Sequence, residues 1–285
     1  MIRRAETESD LATWCEVWNA ITPREPVKVE DQLRRLARQP DRLQLLSGEL
    51  AAGLVAPSDS PGRLYVAVRV LPEARRRGLG SDVFASLIDH ARRLEPEWLS
   101  TIVSGAEPES IAWAQRRGFE EYGRQVELVL ALRGDEQRPE PPDGIVVTEL
   151  TRELHDAAYE LTCEAWDDLP TEVDVEPPSY EVWLEEEVPG PIAFVALDDG
   201  DLVGFAALME RGPELVEHGL TATRRSHRRR GIATLLKRTE IAWAAANGYR
   251  ELITFTQDKN EGMQAINLGL GFVPQPPWIS MRRRP

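Results

Sequence analysis

Two stretches of this 285-residue chain carry the same signature: EARRRGLGSDVF at Glu73–Phe84 and SHRRRGIATLLK at Ser226–Lys237. Each sets three arginines directly before a glycine that opens an apolar-periodic helix. Gly78 and Gly231 lie 153 residues apart (231 − 78), and so do the Gly118-Phe119 and Gly271-Phe272 pairs (271 − 118). Upstream, TWCEVWN at Thr13–Asn19 parallels LTCEAWD at Leu161–Asp167 with an offset of 148 (161 − 13). An offset that drifts through loops and then locks is the pattern of a duplicated domain, not of a short-period solenoid. The length suits two domains.

The join is legible. Arg133–Gly144, RGDEQRPEPPDG, holds Pro139, Pro141 and Pro142 among charges, and can form neither a central strand nor a helix interior. The sequence therefore divides into a domain at 1–133, a linker at 134–143 and a domain at 144–285. Each repeat shows the same order: a helix, a polar proline-bearing stretch, short strands, the arginine–glycine turn, a long helix, a strand and a short helix. Asp199-Gly200 between two apolar runs predicts a hairpin. Ile232, Leu235, Leu236, Ala242, Trp243 and Ala246 share a helical face, and Asn247-Gly248 stops that helix. Helices mixed with mostly antiparallel strands imply an α/β (α+β) layered fold.

The arginine runs stand out against a net charge of −14, with 34 Lys+Arg facing 48 Asp+Glu. An acidic surface repels nucleic acid and anionic lipid, so neither is an expected partner. No signal-type or membrane-spanning apolar run is visible, which leads to an expectation of a cytoplasmic protein. Cys15 and Cys163 are too few for a disulfide framework. His90, His155, His218 and His227 show no ligand-type spacing, so no metal is expected.

A strand running into a glycine turn and a helix N-terminus makes an anion site. The first backbone N–H groups of the helix lack partners, and its dipole adds positive charge. Glycine lets the backbone approach, and Ser81 or Thr234 in the first helical turn could add a hydroxyl. A pyrophosphate fits. A Walker A loop is absent, and the third glycine of a Rossmann fingerprint is replaced by Val83.

Arg75-Arg76-Arg77-Gly78-Leu79-Gly80 and Arg228-Arg229-Arg230-Gly231-Ile232-Ala233 resemble the Gln/Arg-x-x-Gly-x-Gly/Ala signature of the GCN5-related N-acetyltransferase (GNAT) superfamily, in its tandem form. The resemblance implies two tandem acyl-CoA N-acyltransferase domains, each a mixed, mostly antiparallel sheet flanked by helices. It implies acetyl-CoA as co-substrate, its pyrophosphate held by Arg228, Arg229, Arg230, Gly231, Ile232, Ala233 and Thr234. The preceding strand, Leu220, Thr221 and Thr223 among it, would hold the pantetheine arm. In the first repeat Arg75, Arg77, Gly78 and Gly80 would bind phosphate, with Ala67 to Val70 as the strand.

The resemblance also grades the two repeats. Where many family members have a tyrosine that protonates the leaving thiolate, the second repeat has Asn267 and the first Ala114. An asparagine that would touch the cofactor is Asn260 in the second repeat; the first has Glu107 there. The second repeat is thus expected to be catalytic and the first degenerate. The expected reaction is direct attack of an amine on the thioester, with Glu217, in preference to His218, as base and Asn267 at the thiolate. Acidic residues between Asp167 and Glu187 suggest a cationic small-molecule or peptide amine as acceptor; Trp166, Tyr180 and Trp183 either line its pocket or pack the core. A homodimer is left open. The alternative is a non-catalytic acyl-CoA-binding or interaction protein.

Overall fold

Apolar runs bounded by Gly, Pro and Asp become strands, and runs of 3.6 periodicity become the helices that cover them. The computed structural model describes residues 2–24, 26–58, 60–168, 176–186, 188 and 190–285. In chain order the elements are β1 (Ile2–Arg4), α1 (Glu8–Ile21), α2 (Val29–Arg38), β2 (Leu43–Ser47), β3 (Ala51–Pro57), β4 (Arg63–Val70), α3 (Leu79–Arg92), β5 (Trp98–Ser104), α4 (Pro108–Gln115) and β6 (Glu120–Ala131). There follow β7 (Ile145–Glu149), α5 (His155–Trp166), α6 (Tyr180–Glu186), β8 (Ile192–Asp198), β9 (Asp201–Gly212), β10 (Leu215–Thr223), α7 (Ile232–Ala246), β11 (Glu251–Gln257), α8 (Glu261–Gly269), β12 (Val273–Pro274) and β13 (Trp278–Arg283).

The chain forms two compact units that do not follow the division at 133/144. The first contains Met1–Gly123 together with Trp278–Pro285; the second contains Arg124–Pro277. The reason is strand pairing. β13, at the end of the second repeat, pairs antiparallel with β5 from Trp278↔Ser104 to Arg283↔Leu99, inside the first unit. The latter part of β6, Gln125 to Ala131, pairs antiparallel with β11 inside the second unit. The proline-bearing stretch is irregular, as expected, but it is attached to the second unit: Arg138 Nη2 donates to the Val147 carbonyl at 3.1 Å.

In the first unit the strand order is β1-β2-β3-β4-β5-β13, antiparallel except for β4 with β5. α3 packs Val83, Phe84, Leu87 and Ile88 on one face, where Ile279 and Met281 of β13 join them. α1 covers the other face with Trp14 and Trp18, and Trp14 Nε1 donates to the Gly53 carbonyl at 3.0 Å. In the second unit the order is β6-β11-β10-β9-β8-β7, antiparallel except for β10 with β11. α7 covers one face and α5 with α6 the other. Both units need a glycine beneath the long helix. A Cβ on Gly53 would meet Val83 Cγ1 at 2.4 Å, and one on Gly204 would meet Ile232 Cγ2 at 2.7 Å.

The Asp199-Gly200 hairpin forms with both residues at positive φ, 50° and 91°. The helical face anticipated for α7 holds for Ile232, Leu235, Leu236 and Ala242, whereas Ala246 is exposed and Trp243 half-buried. Among the described residues no helix is long and apolar enough to cross a membrane.

Because Met281 is fully buried in the first unit's core, Met281→Ala should destabilise that unit by about 2–5 kcal/mol. Hydrogen exchange should show β4 and β5 losing protection while β9 and β10 keep theirs.

Candidate active site

The two turns are built alike. After β4 and β10 the chain makes a 3-10 turn, Pro72–Ala74 or Arg225–His227, and then a left-handed kink. In the first unit Arg76 has φ 63° and Gly78 φ 87°; in the second Arg229 has φ 63° and Gly231 φ 82°. Two left-handed residues flanking one right-handed or extended residue turn successive N–H groups inward, toward the start of α3 or α7. Gly78 and Gly231 are the N-cap residues, and a Cβ on either would meet nothing within 4 Å. The glycines serve backbone conformation and leave the cradle open.

The first arginine of each run closes the turn. Arg75 Nε donates to the Val70 carbonyl at 3.3 Å, and Arg228 Nε to the Thr223 carbonyl at 3.2 Å. A carboxylate takes the rest of each guanidinium. Arg75 Nη1 reaches Glu107 at 3.1 Å, and Arg228 Nη2 reaches Asp168 at 2.6 Å. Arg230 bonds Asp198 at 3.0 Å, which also lies 3.2 Å from His227 Nε2. Arg77 and Arg229 are exposed and have no partner among the described residues, so their donors are free for an anion.

Beside each turn the sheet opens. β4 pairs with β5 only from Arg63 to Tyr65, and β10 pairs with β11 only from Leu215 to His218. Val66–Val70 and 219–223 thus have no strand partner on that side. In the first unit this opening is part of a cavity of about 760 Å³, a size typical of ligand sites. Val66, Val70, Gly78, Phe84, Ala114 and Trp278 are among its lining residues. Arg117, stacked 3.6 Å from the Trp113 ring centroid, donates to Ser81 Oγ at 2.7 Å and brings a further cation to the start of α3.

The second unit has one residue more on this strand. β5 and β11 are related by 153 (251 − 98), but the register makes β4 and early β10 related by 152 (215 − 63). A register shift between His218 and Thr221 restores 153. Glu217 therefore occupies the place of Tyr65, and His218 that of Val66.

Glu217 is nearly buried, with Arg211 Nε 2.6 Å from its carboxylate. His218 faces α7 and is treated below. Leu220 packs with the core on the α5 side, while the Thr221 and Thr223 hydroxyls are buried without partners among the described residues. Ile232 is core, whereas Ala233 and Thr234 are half-buried at the helix start. Asn260 caps α8, its Oδ1 accepting from Met263 N at 3.2 Å. Asn267 is fully buried; its Nδ2 donates to Thr256 Oγ1 at 3.2 Å and its Oδ1 has no partner.

The acidic stretch is less free than its sequence suggests. Asp168 takes a bidentate bond from Arg225, 2.8 and 3.0 Å, besides that from Arg228, and Glu164 accepts from the Arg225 amide at 2.6 Å. These arginines are distant in sequence, so counting charges between 167 and 187 misses them. Glu172, Asp174 and Glu187 lie outside the described residues. Trp183 is fully buried in the core against Phe205, Tyr159 and Tyr180, so it packs the interior and does not line an open acceptor pocket.

In both units, then, a mixed sheet opens beside a glycine turn and a helix N-terminus. Residues 153–272 match the acetyltransferase (GNAT) family, and residues 43–128 match the family described as FR47-like protein. The chain belongs to the GNAT superfamily in its tandem, two-domain form. A GCN5-related N-acetyltransferase from Sphaerobacter thermophilus is similar over 100% of this chain and 96% of its own, at 21% identity and TM-score 0.74. A tandem GNAT protein from the clavulanic acid biosynthesis pathway, solved without AcCoA, is similar over 100% and 98%, at 20% identity and TM-score 0.79. One from Kribbella flavida covers 89% and 93%, at 21% identity and TM-score 0.56. At these identities the likeness is one of fold. No curated protein matches the chain.

Hydrogen bonds from Arg225 and then Arg228 lower the Asp168 carboxyl from 3.8 to about 2. A carboxyl lowered in the fold stabilises fully above its ordinary value, and its contribution fades only as pH falls toward 2. The clamp is therefore intact near neutrality. Asp168→Asn should release both guanidiniums, tighten coenzyme A binding several-fold and steepen its salt dependence. Calorimetry at low and high salt reads this; weaker binding would mean that Asp168 orients Arg228 for the ligand.

Proposed function

We propose that the protein is an acetyl-CoA-dependent N-acetyltransferase acting on a primary amine of a small molecule or peptide, with turnover in the second unit. The observation that carries this reading is the opening of β10 from β11 beside the left-handed Arg229–Gly231 turn, with the buried amide of Asn267 close by on α8. Free N–H groups at the start of α7, with Arg229 and Arg230, take the diphosphate. Unpaired backbone of 219–223 holds the pantetheine arm as an added strand would be held. The bound acetyl-CoA supplies an activated acyl carbon.

Glu217 is the base in this reading. It lies on the β10 face opposite α7, beside Arg211, and takes the amine proton directly or through a water. The amine must be neutral to attack. Glu164 and Asp168 are neutralised by arginines, so the pull on a cationic acceptor rests on fewer carboxylates than the composition of the loop implies.

The first unit fits a narrower role. Its cavity and its turn suit cofactor binding, but Ala114 stands where Asn267 does, and Glu107 carries negative charge to the Arg75 side of the turn. Binding without turnover follows. No metal-binding group of three His, Cys, Asp or Glu occurs among the described residues.

Calorimetric titration of acetyl-CoA into the wild type, Gly78→Glu and Gly231→Glu tests this. Each substitution strains a positive-φ glycine and puts a carboxylate where the diphosphate goes. Two sites in the wild type, one lost in each variant, are expected. Asn267→Ala should retain affinity and lose turnover. No uptake of acetyl-CoA by the wild type would remove the reading.

A further inference from the structure

The duplication supplies an internal control for the core of the second unit. In the first unit Val66, Phe84 and Leu87 belong to one apolar cluster, and Val66 and Phe84 line the cavity. The corresponding residues of the second unit are His218 (66 + 152), Lys237 (84 + 153) and Glu240 (87 + 153). Three apolar residues have become three titratable ones. All are buried: His218 is 2% exposed, Lys237 1% and Glu240 0%. His218 Nδ1 lies 2.7 Å from Glu240 Oε2.

Position gives this trio its meaning. His218 is the last β10 residue paired with β11, so it sits at the apex of the opening, and in the first unit the equivalents of His218 and Lys237 line a cavity. Across the apex His218 is paired with Thr254; further along β11, Thr256 accepts from Asn267. These neighbours are uncharged. The titratable groups acting on Lys237, Glu240 and His218 are those three themselves. Burial pushes Lys237 down to about 8 and Glu240 up to about 8, each opposed by the other's charge. Burial, with the Lys237 charge, holds the imidazole neutral, well below its ordinary value.

We propose that Lys237 is the proton donor to the departing sulfur in the second unit, with Glu240 and His218 as positioning residues that hold its ammonium at the apex. This rests on the acetyl-transfer reading above. As the amine nitrogen bonds to the acetyl carbon, the carbon–sulfur bond breaks and its electron pair stays on sulfur. The Lys237 ammonium gives one proton to that sulfur and becomes a neutral amine. The proton shed by the attacking amine leaves through Glu217 to solvent, and Lys237 regains one from solvent once the thiol departs. The Glu240 charge opposes the fall that burial imposes on Lys237. The open Oδ1 of Asn267 can accept the new S–H.

Coenzyme A is the probe. Its bound thiol is titrated by ultraviolet thiolate absorbance in the wild type, in Lys237→Met, and in a triple variant, His218→Val with Lys237→Phe and Glu240→Leu. An ammonium beside the sulfur should lower the bound thiol pKa by about one unit or more. Both variants should bind coenzyme A and lose that shift. The triple variant installs a set that already packs in the first unit, so it should melt no lower than the wild type, which separates loss of the shift from loss of the fold. Binding with an unchanged thiol titration in either folded variant overturns the proposal alone. Failure of the wild type to bind coenzyme A overturns the acetyl-transfer reading and this one with it.

Discussion

The site of the second unit depends on β10 parting from β11 after His218. Backbone N–H and C=O groups kept from water without a partner cost free energy, so a sheet opens only where something else will pair. The opening leaves 219–223 bonded on the β9 side alone, and a register shift adds a residue at the point of departure. That residue re-aims the strand. Before it, Glu217 and His218 point to opposite faces; after it, the strand runs into the turn that starts α7. The first unit opens at the same place without a shift, so the shift is not needed for opening. It is needed to set Glu217 and His218 where the first unit has Tyr65 and Val66.

Charge is arranged locally against the global balance. A chain of net charge −14 keeps its anion turns positive by giving each arginine a separate task. The first in each run bridges a strand carbonyl and a carboxylate, and so fixes the turn. Arg77 and Arg229 stay outside such bonds. Exposed ion pairs of this kind contribute little to stability, so the Asp168 contacts matter more for placing Arg225 and Arg228 than for holding the unit together. The buried trio is the opposite case. Replacing a buried charged set by apolar residues is often neutral or stabilising by about 1–4 kcal/mol, and the first unit shows that an apolar set packs here.

Much of this was legible in the sequence because turns are local. RRRG, Asp199-Gly200 and Asn247-Gly248 each carry their conformation in adjacent residues, and each forms as expected. Partnership is not local, and it was not legible. Arg211 beside Glu217, Asp168 beside Arg225 and Glu240 beside His218 join residues whose proximity only the sheet determines. Lys237 and Glu240 are absent from the apolar face read for their helix, because a one-dimensional pattern marks charge as outside. The signal that could have exposed them was the repeat itself: aligned at 153, they fall on Phe84 and Leu87.

Strand exchange explains why the repeat in the sequence and the units in space have different bounds. Pairing of Trp278 with Ser104 closes a loop of 174 residues (278 − 104). Contacts of such separation form late, because the chain between them must be ordered or spanned first. During synthesis the first repeat emerges complete in sequence but lacks the strand that buries Ile279 and Met281 in its core. β6 is made early, yet its pairing partner β11 is not. The first unit therefore waits for β13 and the second for β11, and cutting within 134–143 would yield two fragments that each lack a strand and leave an open edge. The duplication produced two similar sites, and the exchange makes them one folding problem.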